Sequence, residues 1–333
     1  MRALVSRAVY SIAAFLLVAL PPLHTLPAMT MTLAQKLATK QFVLTAEITP
    51  PVSFSRDELL DKALPLKGLA DTVNVTDGAG ARPHLGAVTS AGILVENGIE
   101  PILQLTCRDR NRIGLQSELM SAAALGVRNL LALRGDDPSA GDQPDAKPVF
   151  DLDARQLLET ARRLRDTREL PSGKKVSGKA EFFLGAADSP IDPPAGWEPK
   201  GLAAKIAAGA QFAQTQFCMD PGVARRYMAR LAEHGLDQKI KLIIGVAPLR
   251  SAKSARWMKE KLFGTVMPDV IIERMENSSD PIGEGVRIAI EVIEELSKIP
   301  GVGGVHIMAP MNDAVVPGVI SEARQRVARM VMA

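Results

Sequence analysis

Residues 42–49, FVLTAEIT, decide how the rest of the chain is read. The run is short, apolar and bounded like a strand buried on both faces, as in a parallel sheet. Two positions break it. Thr45 and Glu47 stand two residues apart, so both side chains leave the strand on the same side. An acid inside a buried strand is costly unless it is paired or hydrogen-bonded. Functional sites are where that cost is tolerated, which makes Glu47 a site candidate.

Downstream the same design repeats. Apolar runs at 72–77, 100–107, 129–136, 179–187, 212–219, 241–248 and 304–309 complete eight predicted strands. Toward their carboxyl ends they carry further polar pairs at spacing two: Asn74 with Thr76, Gln104 with Thr106, and Gln214 with Gln216. Asp136 closes the fourth strand. Between strands, 3.6-residue stripes predict helices; one holds Leu157, Leu158, Ala161 and Leu164, another Ala224, Tyr227, Met228 and Leu231. Eight strands, each followed by a helix, predict a (β/α)8 TIM barrel formed by a single domain over residues 31–333. Stretches rich in Pro, Gly and Asp, 136–152 and 186–200, follow the fourth and fifth strands, on the face where barrel enzymes build their sites. If the polar faces look inward, Glu47 and Asp136 meet at the barrel mouth among amides and hydroxyls that can read a heterocycle. Thr45, Asn74 and Gln214 read first as satisfied polar residues of the interior. His306, in the eighth strand, is open between a ligand-binding and a core role.

Composition narrows the function. Apolar residues make up 47% of the 333 and fill a large core, whereas 4% aromatic content is too little for a surface of stacked bases. A formal net charge of +3 with interspersed signs gives no nucleic-acid footprint. The four histidines are scattered without metal spacing. No glycine-rich fingerprint follows a strand, and no serine sits in a nucleophile elbow. Gly301, Gly303 and Gly304 read as a turn ahead of the eighth strand. Cys107 and Cys218 lie in apolar runs and read as buried hydrophobes in a reducing compartment. Residues 1–30 stand apart. Arg2 and Arg7, an apolar run from Ile12 to Leu20, and small residues up to Ala28 have the layout of a signal peptide. The run is too short for a comfortable membrane span. An upstream start codon ahead of Met29 or Met31 is the favoured reading, with a cytoplasmic location and no membrane partner.

TAEITPP (45–51), NVTDGA (74–79), LQLTCRDRNR (103–112), LALRGDDP (131–138), KIAAGAQFAQTQFCMD (205–220) and IIGVAP (243–248) together resemble the methylenetetrahydrofolate reductases. The match runs from about residue 33 to the end. The resemblance implies FAD at the carboxyl face of a barrel, folate stacked on the flavin, and NADH or NADPH as electron donor. It implies reduction of 5,10-methylenetetrahydrofolate to 5-methyltetrahydrofolate in one-carbon and methionine metabolism. By position, Glu47 is similar to the family's general acid, and Asp136 to the aspartate that stabilises a 5-iminium cation between pterin and flavin. Gln216 matches the pterin-reading glutamine. Leu133, Arg134 and Gly135 match the backbone around FAD, Lys205 a basic residue on its phosphates or ribose, and Thr76 a flavin-site threonine.

Asp77 and Gln104 match flavin- and substrate-side positions where well-known bacterial members carry an aromatic residue and a histidine. In this the wording resembles the acetogen-type and methyltransferase-fused branch. Asp77 is expected to bring negative charge to the flavin and to remove a stacking surface for nicotinamide. Two other readings share the barrel: a methyltransferase using methyltetrahydrofolate, and a flavin- or folate-holding subunit of a larger redox complex. A homo-oligomer and an electron-donor partner protein are both compatible with the sequence.

Overall fold

A computed structural model describes residues 31–332; the expectation about residues 1–30 lies outside them. Eight parallel strands pair in sequence order and close on themselves: β1 (Val43–Ile48), β2 (Thr72–Val75), β3 (Pro101–Thr106), β4 (Asn129–Leu133), β5 (Phe183–Asp188), β6 (Phe212–Phe217), β7 (Lys241–Val246) and β8 (Val302–Ile307). β8 lies beside β1, with Thr45 opposite His306. Each apolar run read as a strand carries one. This is the predicted (β/α)8 barrel.

Helix α1 (Leu33–Ala38) precedes the barrel, and α2 (Arg56–Ala63), α3 (Ala87–Glu96), α4 (Arg112–Ala124), α5 (Ala154–Thr167), α6 (Lys200–Ala208) and α7 (Pro221–Glu233) follow the first six strands. The connection from β7 to β8 departs from one helix per strand. It holds α8 (Ala252–Lys261), α9 (Asp269–Glu276) and α10 (Pro281–Ser297), and α11 (Val316–Met332) follows β8. Local chemistry sets the starts. Asp153 and Gln156 form a reciprocal capping box on α5, and Asp220 caps α7 just before Pro221 at its first position.

Two apolar cores result. Inside the barrel, Val43, Ile102, Leu131, Phe212 and Ile243 are buried with Leu33 and Leu37 of α1, which plugs the amino-terminal end. Phe183 stacks on Phe212 there with ring centroids 5.0 Å apart. The second core lies between strands and helices and takes in the predicted stripes of α5 and α7. Cys107 and Cys218 sit in it, and burial pushes their thiols up to about 11 and about 12, so neither is a nucleophile. Among the described residues no helix is long and apolar enough to cross a membrane.

Boundaries correct the sequence reading in two places. β4 ends at Leu133, whose last ladder partner is Thr106, so Asp136 stands on the loop beyond the strand rather than closing it. Gly303 and Gly304 lie inside β8, not in a turn before it. A Cβ on Gly304 would fall 2.2 Å from the Val43 carbonyl oxygen, so β8 reaches β1 only because no side chain stands there.

Candidate functional site

The period of two carries the inward-facing polar residues into layers above the apolar plug. Lowest are Thr45, Asn74 and Gln214, all buried. Asn74 Nδ2 donates to Gln214 Oε1 at 2.6 Å, and Gln214 Nε2 donates back to Asn74 Oδ1 at 3.1 Å and to Thr45 Oγ1 at 3.3 Å. These residues are satisfied, as expected, but they are also connected upward. Thr45 Oγ1 lies 3.0 Å from His306 Nδ1 and donates to the Val305 carbonyl at 3.3 Å. With the hydroxyl hydrogen spent there, Nδ1 carries the ring proton, an assignment drawn from the network. His306 Nε2 then faces Glu47 Oε2 at 3.4 Å. From the other side Gln104 Nε2 donates to the same Oε2 at 2.7 Å. Both contacts fall on Oε2, leaving Oε1 without a partner among the described residues.

Glu47 opens into a cavity of about 660 Å3 at the carboxyl end of the strands, within the range of pockets that hold ring-bearing ligands. Gln104, Gln216 and His306 line it from the strands, Thr76 and Asp77 from just past β2, and Leu133, Arg134, Gly135 and Asp136 from β4 and its loop. The sequence-derived candidates thus converge, with one exception. Lys205 lies beside the cavity rather than in its lining and donates from Nζ to the Ala187 carbonyl at 2.6 Å. Asp136 is exposed, and among the described residues nothing hydrogen-bonds its carboxylate. Gln216 Oε1 accepts from the Phe217 amide at 3.0 Å, which leaves its amide nitrogen for a ligand.

Gly135 has φ +90°, and a Cβ on it would lie 3.0 Å from Arg108 Cβ and 3.1 Å from Thr106 Cβ. The backbone therefore turns tightly at the cavity rim. Thr76 Oγ1 is buried at the wall with no hydrogen-bond partner.

Asp77 corrects an expectation. It is 7% exposed and receives Arg110 in a fork, Nη1 to Oδ2 at 2.8 Å and Nη2 to Oδ1 at 3.0 Å. Thr106 adds its amide and hydroxyl, each at 2.9 Å. The carboxylate is matched by a guanidinium, so it brings no uncompensated negative charge to the cavity.

Other lining residues carried no signal in the sequence. Lys261 at the end of α8 and Leu262 and Phe263 in the loop after it also line the cavity, and Phe263 is 92% exposed. Asp188 lines the wall at the end of β5 and accepts from Tyr227 Oη at 2.6 Å; burial raises its carboxyl above the usual range. Among the described residues no group of three or more His, Cys, Asp and Glu could hold a metal ion.

Residues 32–324 match the family model described as methylenetetrahydrofolate reductase. Methylenetetrahydrofolate reductase 2 of Schizosaccharomyces pombe is 28% identical over 207 residues, 60% of this chain but 31% of that protein. The chain thus spans about a third of that relative. The 5,10-methylenetetrahydrofolate reductase of Salmonella typhimurium is 25% identical over 270 residues, covering 78% of this chain and 83% of that one. Among solved structures, a Clostridium thermocellum protein that binds two copies of 5-methyl-5,6,7,8-tetrahydrofolic acid superposes with a TM-score of 0.60 at 16% identity, over 88% of this chain and 98% of that one. At that identity the likeness shows the fold alone. The family match over 32–324 is the broader result, and by it the chain belongs to the methylenetetrahydrofolate reductase family.

Proposed function

We propose that this protein reduces 5,10-methylenetetrahydrofolate to 5-methyltetrahydrofolate, with FAD as its resident cofactor, in one-carbon metabolism within a reducing, cytoplasmic compartment. The observation that carries the reading is Glu47: an acid inside a barrel strand, held at Oε2 by the Gln104 amide, with His306 Nε2 3.4 Å from that oxygen, and open to the cavity at Oε1.

The residues present fit a flavin. Thr76 Oγ1 is an orphaned hydroxyl in the wall, the backbone turns tightly at Gly135 against Thr106 and Arg108 on the rim, and Arg134 stands there with its guanidinium 4.3 Å over the Phe150 ring. Thr76, Leu133, Arg134 and Gly135 would hold the ring system and ribityl chain, and Lys205, once it leaves the Ala187 carbonyl, the phosphates or ribose. When bound, FAD supplies the hydride that reduces the folate's one-carbon unit. The chain's own residues do the rest. Glu47 carries a proton on Oε1 to the folate nitrogen that leaves as the methylene bridge opens. Asp136, exposed on its loop and without a hydrogen-bond partner among the described residues, stabilises the iminium cation created by that opening. Gln216 orients the pterin through its free amide nitrogen. His306, held in register by Thr45, stands 3.4 Å from Glu47 Oε2 and fixes the position of that carboxyl.

The test is to purify the protein, identify the bound cofactor, and assay NADH, NADPH and a reduced viologen dye as donors. A yellow protein that converts methylenetetrahydrofolate with at least one donor is expected. NADH is expected to be slower than the dye, because no aromatic ring stands at position 77; one lost aromatic contact is worth on the order of 0.5–1.5 kcal/mol, or about tenfold. A colourless protein, or one that transfers methyl from methyltetrahydrofolate without flavin, overturns the reading. Flavin without turnover on any donor leaves a holding subunit instead.

A further inference from the structure

The other end of the barrel carries a space of its own. The outer helices run against the strands, so α4 and α5 end at the amino-terminal face, opposite the catalytic cavity. Connections there are short: residues 125–128 join α4 to β4, and 209–211 join α6 to β6. Residues 168–182, between α5 and β5, break that pattern, since such links usually take about two to six residues. The added chain folds into a hairpin. Glu169 pairs antiparallel with Lys175, the Leu170 amide donates to the Lys174 carbonyl at 2.9 Å, and the Val176 amide to the Arg168 carbonyl at 2.8 Å.

Between this hairpin and the ends of α4 and α5 lies an apolar crevice of about 340 Å3, which shares no residue with the catalytic cavity. The buried Leu119, Leu164 and Phe182 make its floor, and Met120, Ala123 and Val176 its walls. No carboxylate lines it. Arg168 and Lys179 do, and neither has a carboxylate partner among the described residues. The hairpin's own acid, Glu169, is taken by Arg163 at 3.1 Å and by Lys175. Arg168 holds φ +55°, the left-handed conformation past a helix end where glycine is usual. The backbone there carries the strain of a non-glycine residue, and a cation stands at the rim of the crevice as a result.

We propose that this crevice binds a small amphipathic anion, a free aliphatic carboxylate of medium chain length, with the chain against Leu119, Leu164 and Phe182 and the carboxylate on Arg168 and Lys179. The proposal stands apart from the folate-reductase reading. Its warrant is complementarity of two kinds. The apolar floor gains only from an apolar ligand body, and two unmatched cations at its edge favour one negative head through charge-assisted hydrogen bonds. A neutral apolar molecule would leave both cations without a partner. A nucleotide-like polyanion would bring charge against leucine and phenylalanine, where nothing compensates its desolvation. The volume lies at the small end of ligand pockets, room for one chain, and the unbranched Met120 side chain adapts to its shape.

Calorimetric titration of the full chain with hexanoate, octanoate and decanoate, each below its micelle concentration, tests this, with octanol as the uncharged control. One site per chain is expected, with Kd falling about threefold to fourfold for each added methylene until the crevice is full. Octanol should bind about tenfold more weakly than octanoate, since it lacks the charge-assisted hydrogen bonds. Two variants locate the site. R168G/K179Q removes both cations, and glycine suits the left-handed backbone at 168, so the fold is kept. It should bind octanoate about tenfold more weakly and octanol as wild type does. A123L fills the crevice from α4 and should bind neither; if it does not fold, R168G/K179Q decides alone. Three results overturn the proposal: no saturable binding of any carboxylate, octanol bound as tightly as octanoate, or octanoate affinity within about twofold of wild type in R168G/K179Q or in folded A123L. Each of them leaves the folate reading untouched, and loss of the folate reading leaves these expectations unchanged.

Discussion

Around Glu47 the polar atoms are already engaged: Gln104, His306, Thr45, Gln214 and Asn74 run through β3, β8, β1, β6 and β2 in one connected network. On β4 and its loop the opposite holds. Asp136 is exposed and without a hydrogen-bond partner, and nearby Thr76 keeps an unsatisfied buried hydroxyl. Both regions face one cavity. The first is finished when the chain folds, so its geometry is fixed before any ligand arrives. The second keeps its polar atoms open, as the proposed function requires of groups that meet a ligand. A proton donor gains from being fixed in advance, whereas a carboxylate that meets a developing cation has to remain unneutralised until then.

That contrast can be broken by substitution. The largest effect is expected for Glu47→Gln. It should retain flavin and folate but lose about 10²–10⁴-fold in turnover, the usual contribution of a positioned acid. Turnover within a factor of a few of wild type in steady-state assays removes Glu47 from the chemistry. Asp136→Ala comes next, with a loss on the order of 10²–10³ in kcat, the scale seen when one electrostatic stabiliser is removed. Its melting temperature should barely move, since the residue supports nothing in the fold. A marked drop in Tm would show that the β4 loop is part of the folded network after all.

Asn74→Ala inverts that pattern. It strands Gln214 in the barrel interior and should cost about 1–3 kcal/mol of stability, read by denaturant unfolding, with flavin binding retained. The smallest effect concerns Asp188. Its carboxyl is raised above its unfolded value by burial, chiefly opposed by the Tyr227 hydroxyl, so folding is penalised as pH rises from the unfolded carboxylate range through the folded one. Asp188→Asn removes that penalty. Its Tm should exceed the wild-type value at neutral pH, and the gap should close on acidification. A gap that stays constant with pH means that the carboxyl does not titrate in this way.

How much of this was legible in the sequence follows from the range of each signal. The eight strands and the convergence of Thr76, Gln104, Gln216 and Glu47 could be read because a strand's period of two is local and strict. Asp136 was assigned to β4 because nothing in LALRGD marks where the ladder stops; that is set by β3, whose Thr106 is the last partner. The role of His306 depends on β8 closing against β1, a contact across 259 residues to Glu47. Arg110 neutralises Asp77 from 33 residues away, and side-chain spacing gave no hint of it. Phe263 arrives from a loop between two helices that carry no strand pattern. Its one available signal was an exposed-type loop position for an aromatic residue in a chain with 4% of them.

On the proposed function, reduced flavin in this cavity passes a hydride to a folate-bound methylene group. This transfer is tested most directly by reducing the FAD-loaded full chain anaerobically and mixing it with 5,10-methylenetetrahydrofolate in a stopped-flow cell, following flavin absorbance and the folate product. Rapid recovery of oxidised flavin is expected, with 5-methyltetrahydrofolate formed one for one. Reduced flavin that persists in the presence of bound folate would contradict it.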